Sequence, residues 1–377
     1  MRPVHRLGWL AVVCAAASAR PLAAQPTLPT RAPVTADLVR GRARVPLQPD
    51  TRPIVAAWIN GHGPFRLLVE TGSPVSYLTA TAMRRAELDS QRPTDSVRIG
   101  DAVLRQLPFN TAPALGVAGI DGLLGLDAFR SVTLTLAFAE QTLHLEADTL
   151  PAADQREILP LRLAGPFWAL PLRMGTDTVD AVLDTQSALA ITAPTALAPK
   201  LSFTTAPVTV GRARGPAIGD VPVQRARLAH SAWLGSLELQ QPIVDVMPIA
   251  AGLPQTYIIG LQVLRQLDLS LDQRTARARL RRTPRVIPPP PPLYSTGLGT
   301  LRLEDGTRRV SSIIPGSAAE ASFAVGDIVL AANGQPVSTF TDDAWRLLTT
   351  GPAAITLRVR RGSDERDVML QPRAVGF

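Results

Sequence analysis

The 377-residue chain holds one cysteine, one lysine and four histidines, and each scarcity removes a class of chemistry. Cys14 sits in an apolar run near the N-terminus, so loss of that run as a leader leaves no thiol for a disulfide or a nucleophile. Lys200 stands alone, which removes most lysine-based covalent catalysis. His62, His144 and His230 are widely spaced, and none has a second histidine at a metal-binding interval, so no metal is expected. Aromatic residues make up only 5% of the chain and the arginines are scattered. A nucleic-acid face would gather cations with aromatics between them, so no nucleic-acid partner is expected. There is no phosphate-cradling loop, Thr71-Gly72-Ser73-Pro74 lacks the flanks of a nucleophile elbow, and no cofactor is expected. Asp121 and Asp127 read as polar residues at a loop end and a helix start rather than as glycosidase acids.

What is present begins with a leader signature. Arg2, His5 and Arg6 precede an apolar run over residues 7–19, and the small residues Ala23 and Ala24 stand just before Gln25. The run is too short to span a membrane, so residues 1–24 are read as a signal peptide cleaved after Ala19 or Ala24. The expectation is a periplasmic or secreted protein with no transmembrane anchor after cleavage. Removal of Arg2, Arg6 and Arg20 lowers the formal charge from +8 to +5. With 46% hydrophobic and 19% charged residues, the remainder is expected to fold compactly.

Two segments 114 residues apart share a pattern: Phe65 to Val69 leads into Glu70-Thr71-Gly72-Ser73, and Val179 to Leu183 leads into Asp184-Thr185-Gln186-Ser187. Each is an apolar run ending in a carboxylate and a threonine. Leu123-Leu124-Gly125 follows the first and Ile258-Ile259-Gly260 the second. Aligned on the two glycines, Leu126, Phe129, Arg130, Leu134 and Leu136 find Leu261, Leu264, Arg265, Leu269 and Leu271 in register, which reads as duplication. This arrangement resembles the retropepsin-like aspartic peptidases, whose two lobes each offer an Asp-Thr-Gly loop and a later apolar-apolar-Gly segment. The resemblance implies a mainly β fold of two duplicated β-barrel lobes in one chain. It also implies a monomer, and Glu70 and Asp184 as the catalytic pair. Thr71, Gly72 and Ser73 would brace one loop, and Thr185, Gln186 and Ser187 the other.

Both loops depart from the family pattern. Glu70 extends the carboxylate by one methylene, about 1.5 Å, and Gln186 stands where glycine lets the backbone amide approach the carboxylate. Two carboxylates that share one proton can act as acid and base. Three readings therefore stay open: a slow or specialised peptidase, an inactive relative that binds peptides in its cleft, and two unrelated carboxylates at strand ends. A hairpin over residues 97–104, around Gly100-Asp101, reads as a flap, with 212–227 as its counterpart.

After a run of prolines the chain changes character. Gly297-Leu298-Gly299, Leu301-Arg302-Leu303, Ile314-Pro315-Gly316-Ser317 and Gly326-Asp327-Ile328 occur in order, followed by a helix over residues 342–348. The set resembles a bacterial PDZ domain, an α+β module. That resemblance implies a carboxylate-receiving loop at Gly297, Leu298 and Gly299 and an edge strand that takes a C-terminal peptide. The expected plan is a leader at 1–24, an extended arm at 25–52, lobes at 53–150 and 151–282, a linker at 283–293 and the PDZ module at 294–377. The partner is a polypeptide in either reading.

Overall fold

The computed structural model describes residues 33–375, apart from 51, 89–93, 113, 114, 116, 118, 216–218, 250–253 and 290–292. The expected leader, the start of the expected arm and part of the proline run lie outside these residues. The described chain is mainly β.

In the first half the strand order across the sheet is Ala102–Arg105, Val97–Ile99, Ile54–Ile59, His62–Val69, Gly122–Leu124, Ser76–Thr79 and Phe109–Ala112. The second half runs Leu237–Leu239, Ala232–Leu234, Phe167–Met174, Asp177–Leu183, Tyr257–Ile259, Ile191–Pro194 and Ile243–Met247. Every neighbouring pair has the same sense in both. His62–Val69 runs parallel to Gly122–Leu124 as Asp177–Leu183 does to Tyr257–Ile259, and the hairpins are antiparallel in each half. A third sheet joins the halves in the order Ile158–Pro160, Arg277–Arg281, Asp268–Asp272, Thr133–Ala137, Thr142–Glu146 and Arg42–Pro46. At its centre Thr135 faces Ser270, its own repeat mate, and donates a 2.8 Å hydrogen bond to it.

The delivery strands explain where the carboxylates end up. Strand His62–Val69 starts exposed and ends with Leu67, Leu68 and Val69 buried, and Asp177–Leu183 ends with Ala181, Val182 and Leu183 buried. Alternation gives way to burial on both faces, which carries the next residue into the interior. Each of these buried leucines and valines contributes roughly 1.5–3 kcal/mol, enough together to hold a polar loop inside.

The flap pairing is corrected. Ile99 and Leu104 are fully buried, and the turn at Gly100 packs on Arg44 and Val45 of the joining sheet, so this hairpin is core. Its counterpart by strand order is Ala232–Leu234 with Leu237–Leu239. The hairpin Val208–Gly215 with Gly219–Arg227 is an addition of the second half, set against Ile243–Met247.

Beyond Ile287 a separate core forms around Val310, Phe323, Val329, Trp345, Leu357 and Val359. Its sheet runs Leu298–Arg302, Arg308–Ile313, Ile328–Ala332, Ile355–Arg361 and Asp364–Leu370, so Leu298–Arg302 is an edge strand. Helix Asp342–Thr350 is capped by Thr341 and tied to that edge by Trp345 Nε1 donating to Thr300 Oγ1 at 3.0 Å. No helix among the described residues is long and apolar enough to cross a membrane.

Candidate active site

The two loops that end the delivery strands meet across the interface between the halves. Thr71 Oγ1 donates to Leu183 O at 2.8 Å, and Thr185 Oγ1 donates to Val69 O at 2.7 Å. Thr71 N also donates to Thr185 Oγ1 at 3.0 Å. Each threonine thus satisfies the backbone of the opposite strand, and both are buried. Loss of either would orphan interior polar groups at about 1–3 kcal/mol each. Further out the match continues, with Glu70 N on Leu124 O and Asp184 N on Ile259 O, and Leu126 N on Ser73 O and Leu261 N on Ser187 O.

Inside this frame sit Glu70 and Asp184, only 2% and 5% exposed. Gly72 N donates to Glu70 Oε1 at 2.6 Å, while the amides of Gln186 and Ser187 both donate to Asp184 Oδ1 at 2.8 Å. The two carboxyl groups flank Gly72, where an added Cβ would meet Glu70 Oε1 at 2.9 Å and Asp184 Cγ at 3.0 Å, and each shifts the other's titration. Glu70 Oε2 is buried and receives no donor, and two carboxyl groups buried side by side favour holding one proton between them. Burial, then the neighbouring Asp184 charge, pushes the Glu70 carboxyl well above the usual glutamate range. Burial raises Asp184 as well, but the Ser187 and Gln186 amides and the Glu70 hydrogen bond oppose the rise. Asp184 receives two backbone donors and Glu70 one, which favours Glu70 over Asp184 as the holder of a proton.

The departures from the Asp-Thr-Gly pattern have different consequences. At Gly72 an added Cβ would lie 2.9 Å from Glu70 Oε1 and 3.0 Å from Asp184 Cβ and Cγ, so only glycine fits beside the longer carboxylate. Gln186 does not crowd the pair. Its backbone amide keeps the contact with Asp184, and its side chain reaches away, Nε2 donating to Leu115 O of the first half at 2.6 Å. Sequence reasoning did not identify Leu115 as a partner, because a single carbonyl acceptor carries no sequence signal.

Ser73 Oγ donates to Val75 O at 2.7 Å and closes its own loop, while Ser187 Oγ lies against Leu189 N at 3.4 Å. Asp127 is buried and takes both the amide and the hydroxyl of Ser76, and Ser76 Oγ in turn accepts from Gly125 N. This network holds the apolar-apolar-Gly segment in place. Asp121 binds Arg66 N and Arg85, well away from Glu70 in role. Among the described residues there is no group of three or more histidine, cysteine, aspartate or glutamate side chains able to hold a metal ion.

At the C-terminal module the expected carboxylate loop is already engaged. Gly297 N donates to Ser295 Oγ at 3.0 Å and Leu298 N to Thr296 Oγ1 at 3.3 Å. A peptide carboxylate must displace these hydroxyls to reach the amides. Arg302 ties the same edge to the helix entry through Phe340 O at 2.9 Å and Ser338 O at 3.0 Å.

The PDZ domain family matches residues 309–361, so the C-terminal module is a PDZ domain. Among solved structures the chain is similar to a PDZ domain protein from Parabacteroides distasonis ATCC 8503, with 22% identity and a TM-score of 0.21 over 23% of this chain and 21% of that one. It is also similar to a cpaf mutant, with 21% identity and a TM-score of 0.20 over 22% of this chain and 20% of the other. The chain spans about a fifth of the length of each. No curated protein sequence matches it.

Proposed function

We propose that this chain is a retropepsin-like aspartic peptidase that hydrolyses polypeptides outside the cytoplasm, with its PDZ module binding peptide. The observation that carries the reading is the reciprocal threonine lock, which brings Glu70 and Asp184 together from two matching loops. In the cycle we infer, ionised Asp184 takes a proton from a water that attacks the peptide carbonyl carbon, and Glu70 gives its proton to the carbonyl oxygen. In breakdown Asp184 passes its proton to the leaving nitrogen, the C–N bond breaks, and Glu70 recovers a proton from the diol hydroxyl. The pair ends as it began. Gly72 N and the amides of Gln186 and Ser187 hold the carboxylates in place while this happens. The N-terminal leader signature supports action in the periplasm or beyond.

A second reading, a non-catalytic peptide binder, is favoured by the low exposure of the pair. Incubation with a broad peptide library at mildly acidic pH separates the two. Hydrolysis by the wild-type chain that disappears in Asp184→Asn supports the peptidase. Peptide binding without hydrolysis supports the binder, and hydrolysis that survives Asp184→Asn overturns the assignment of the pair.

A further inference from the structure

Away from the carboxylate pair, a cavity of about 320 Å³ opens between the two halves. Its walls are Pro74 and Leu126 from the first half and Leu163 and Trp168 from the second, with Gln273 at the turn of the joining sheet. The walls are fixed. Trp168 Nε1 donates to Gln273 Oε1 at 3.1 Å, and Gln273 Nε2 donates to Leu126 O at 2.7 Å. Arg274, also on the wall, is committed to Asp272, Thr133 and the carbonyls of Ser131, Ala147 and Asp148.

Arg130 is different. It lines the same cavity, and it makes no hydrogen bond or ion pair among the described residues. No aspartate or glutamate lines the cavity; Arg130 is an exposed side chain that senses the buried Asp127 without bonding to it, so its guanidinium donors stay open to a ligand anion at the cavity mouth. Leu163 is 62% exposed at the rim, an apolar surface that a ligand would cover. The bracket is one-sided, although Arg130 itself has Arg265 as its repeat mate. By the glycine alignment the first-half residues at the positions of Gln273 and Arg274 are Phe138 and Ala139, so the polar bracket that holds Trp168 has no equivalent at those positions of the first half.

We propose that this cavity is a binding site for a small apolar carboxylate, its carboxyl group on Arg130 and its apolar body between Trp168, Leu126 and Leu163. The volume suits a ligand of one or two residues' bulk, and guanidinium is the side chain best matched to a carboxylate. A peptide's free carboxyl end with an apolar last residue and a free fatty acid share this chemistry. The site is independent of the peptidase reading.

The test uses the full chain with N-acetyl-phenylalanine, its amide, and octanoate, followed by quenching of tryptophan fluorescence with Trp168→Phe as the reference. The acid is expected to bind about tenfold more tightly than the amide, the value of one charge-assisted hydrogen bond. Arg130→Gln should erase that ratio without shifting Tm, and Leu163→Asp should abolish binding of the acid. Octanoate binding more tightly than N-acetyl-phenylalanine identifies a fatty acid as the ligand, and the reverse order a peptide end; both support the site. Equal binding of acid and amide, no binding of either carboxylate, or a preference that survives Arg130→Gln and therefore arises in the PDZ module, overturns it.

Discussion

Replacing Glu70 by glutamine tests where the shared proton sits. The amide keeps an oxygen for Gly72 N and offers N–H to Asp184, so the packing is nearly unchanged while the titration disappears. In the unfolded chain Glu70 loses its proton around its ordinary value of 4.5. In the folded chain burial and Asp184 keep the proton on to a higher pH. Over that window the native state binds more protons than the unfolded state, so this group's contribution to stability is present at low pH and lost as pH rises. The slope for one proton is about 1.4 kcal/mol per pH unit, and it ends once the folded carboxyl also ionises. Glu70→Gln should therefore match the wild type near pH 4.5 and become progressively more stable than it toward neutrality, by up to that slope per unit. Urea unfolding of the two-lobed body at half-unit steps from pH 4.5 to 8 measures the gap, provided m is unchanged. A gap that stays flat or narrows as pH rises would show that Glu70 is not the proton carrier.

Thr185→Val removes the donor to Val69 O and the acceptor for Thr71 N in one step. It should cost roughly 2–6 kcal/mol, from two buried groups at about 1–3 kcal/mol each; a loss under about 0.5 kcal/mol in chemical denaturation contradicts the lock. Gln186→Gly should lower stability by about 1 kcal/mol through the lost bond to Leu115 and added backbone freedom, with no gain in peptide hydrolysis; a rate increase would mean the side chain does obstruct the pair. A fragment covering residues 293–377 should melt cooperatively alone and bind peptides with a free apolar C-terminus in a fluorescence titration. Ser295→Ala should tighten that binding about threefold or more by freeing the Gly297 amide, on the scale of one ordinary hydrogen bond, and unchanged affinity argues against carboxylate capture there.

Most of the architecture was legible because it is written twice. The paired carboxylate-threonine motifs and the glycine-centred register pointed to two similar halves, and the two halves share one strand order. The ordered PDZ marks gave the C-terminal module, which the family match at residues 309–361 supports. The flap pairing failed for a physical reason: the second half carries an added hairpin at 208–227, and turn residues such as Gly100-Asp101 and Gly219-Asp220 look alike whether the hairpin lies in the core or outside it. Burial decides that, and burial is tertiary. The place of the Gln186 side chain was not legible because the family pattern treats its position as one where any side chain crowds the carboxylate, whereas its amide still reaches Asp184 and its Nε2 donates to Leu115 O. The Ser295 and Thr296 contacts with the PDZ loop depend on rotamers that a motif does not encode.

The joining sheet has a consequence for what half of this chain would do alone. Strand Thr133–Ala137 meets Asp268–Asp272 with Thr135 opposite Ser270, Leu134 opposite Leu271 and Leu136 opposite Leu269. Since Ser270 occupies the position of Thr135 in the repeat, the register is palindromic: the strand can pair with a copy of itself, Thr135 on Thr135 and Leu134 on Leu136. A first half excised from the chain would expose that edge, and an open edge recruits the nearest matching strand. The excised half is thus built to associate with a second copy through an isologous contact, and covalent linkage of the two halves replaces a concentration-dependent encounter with an intramolecular one.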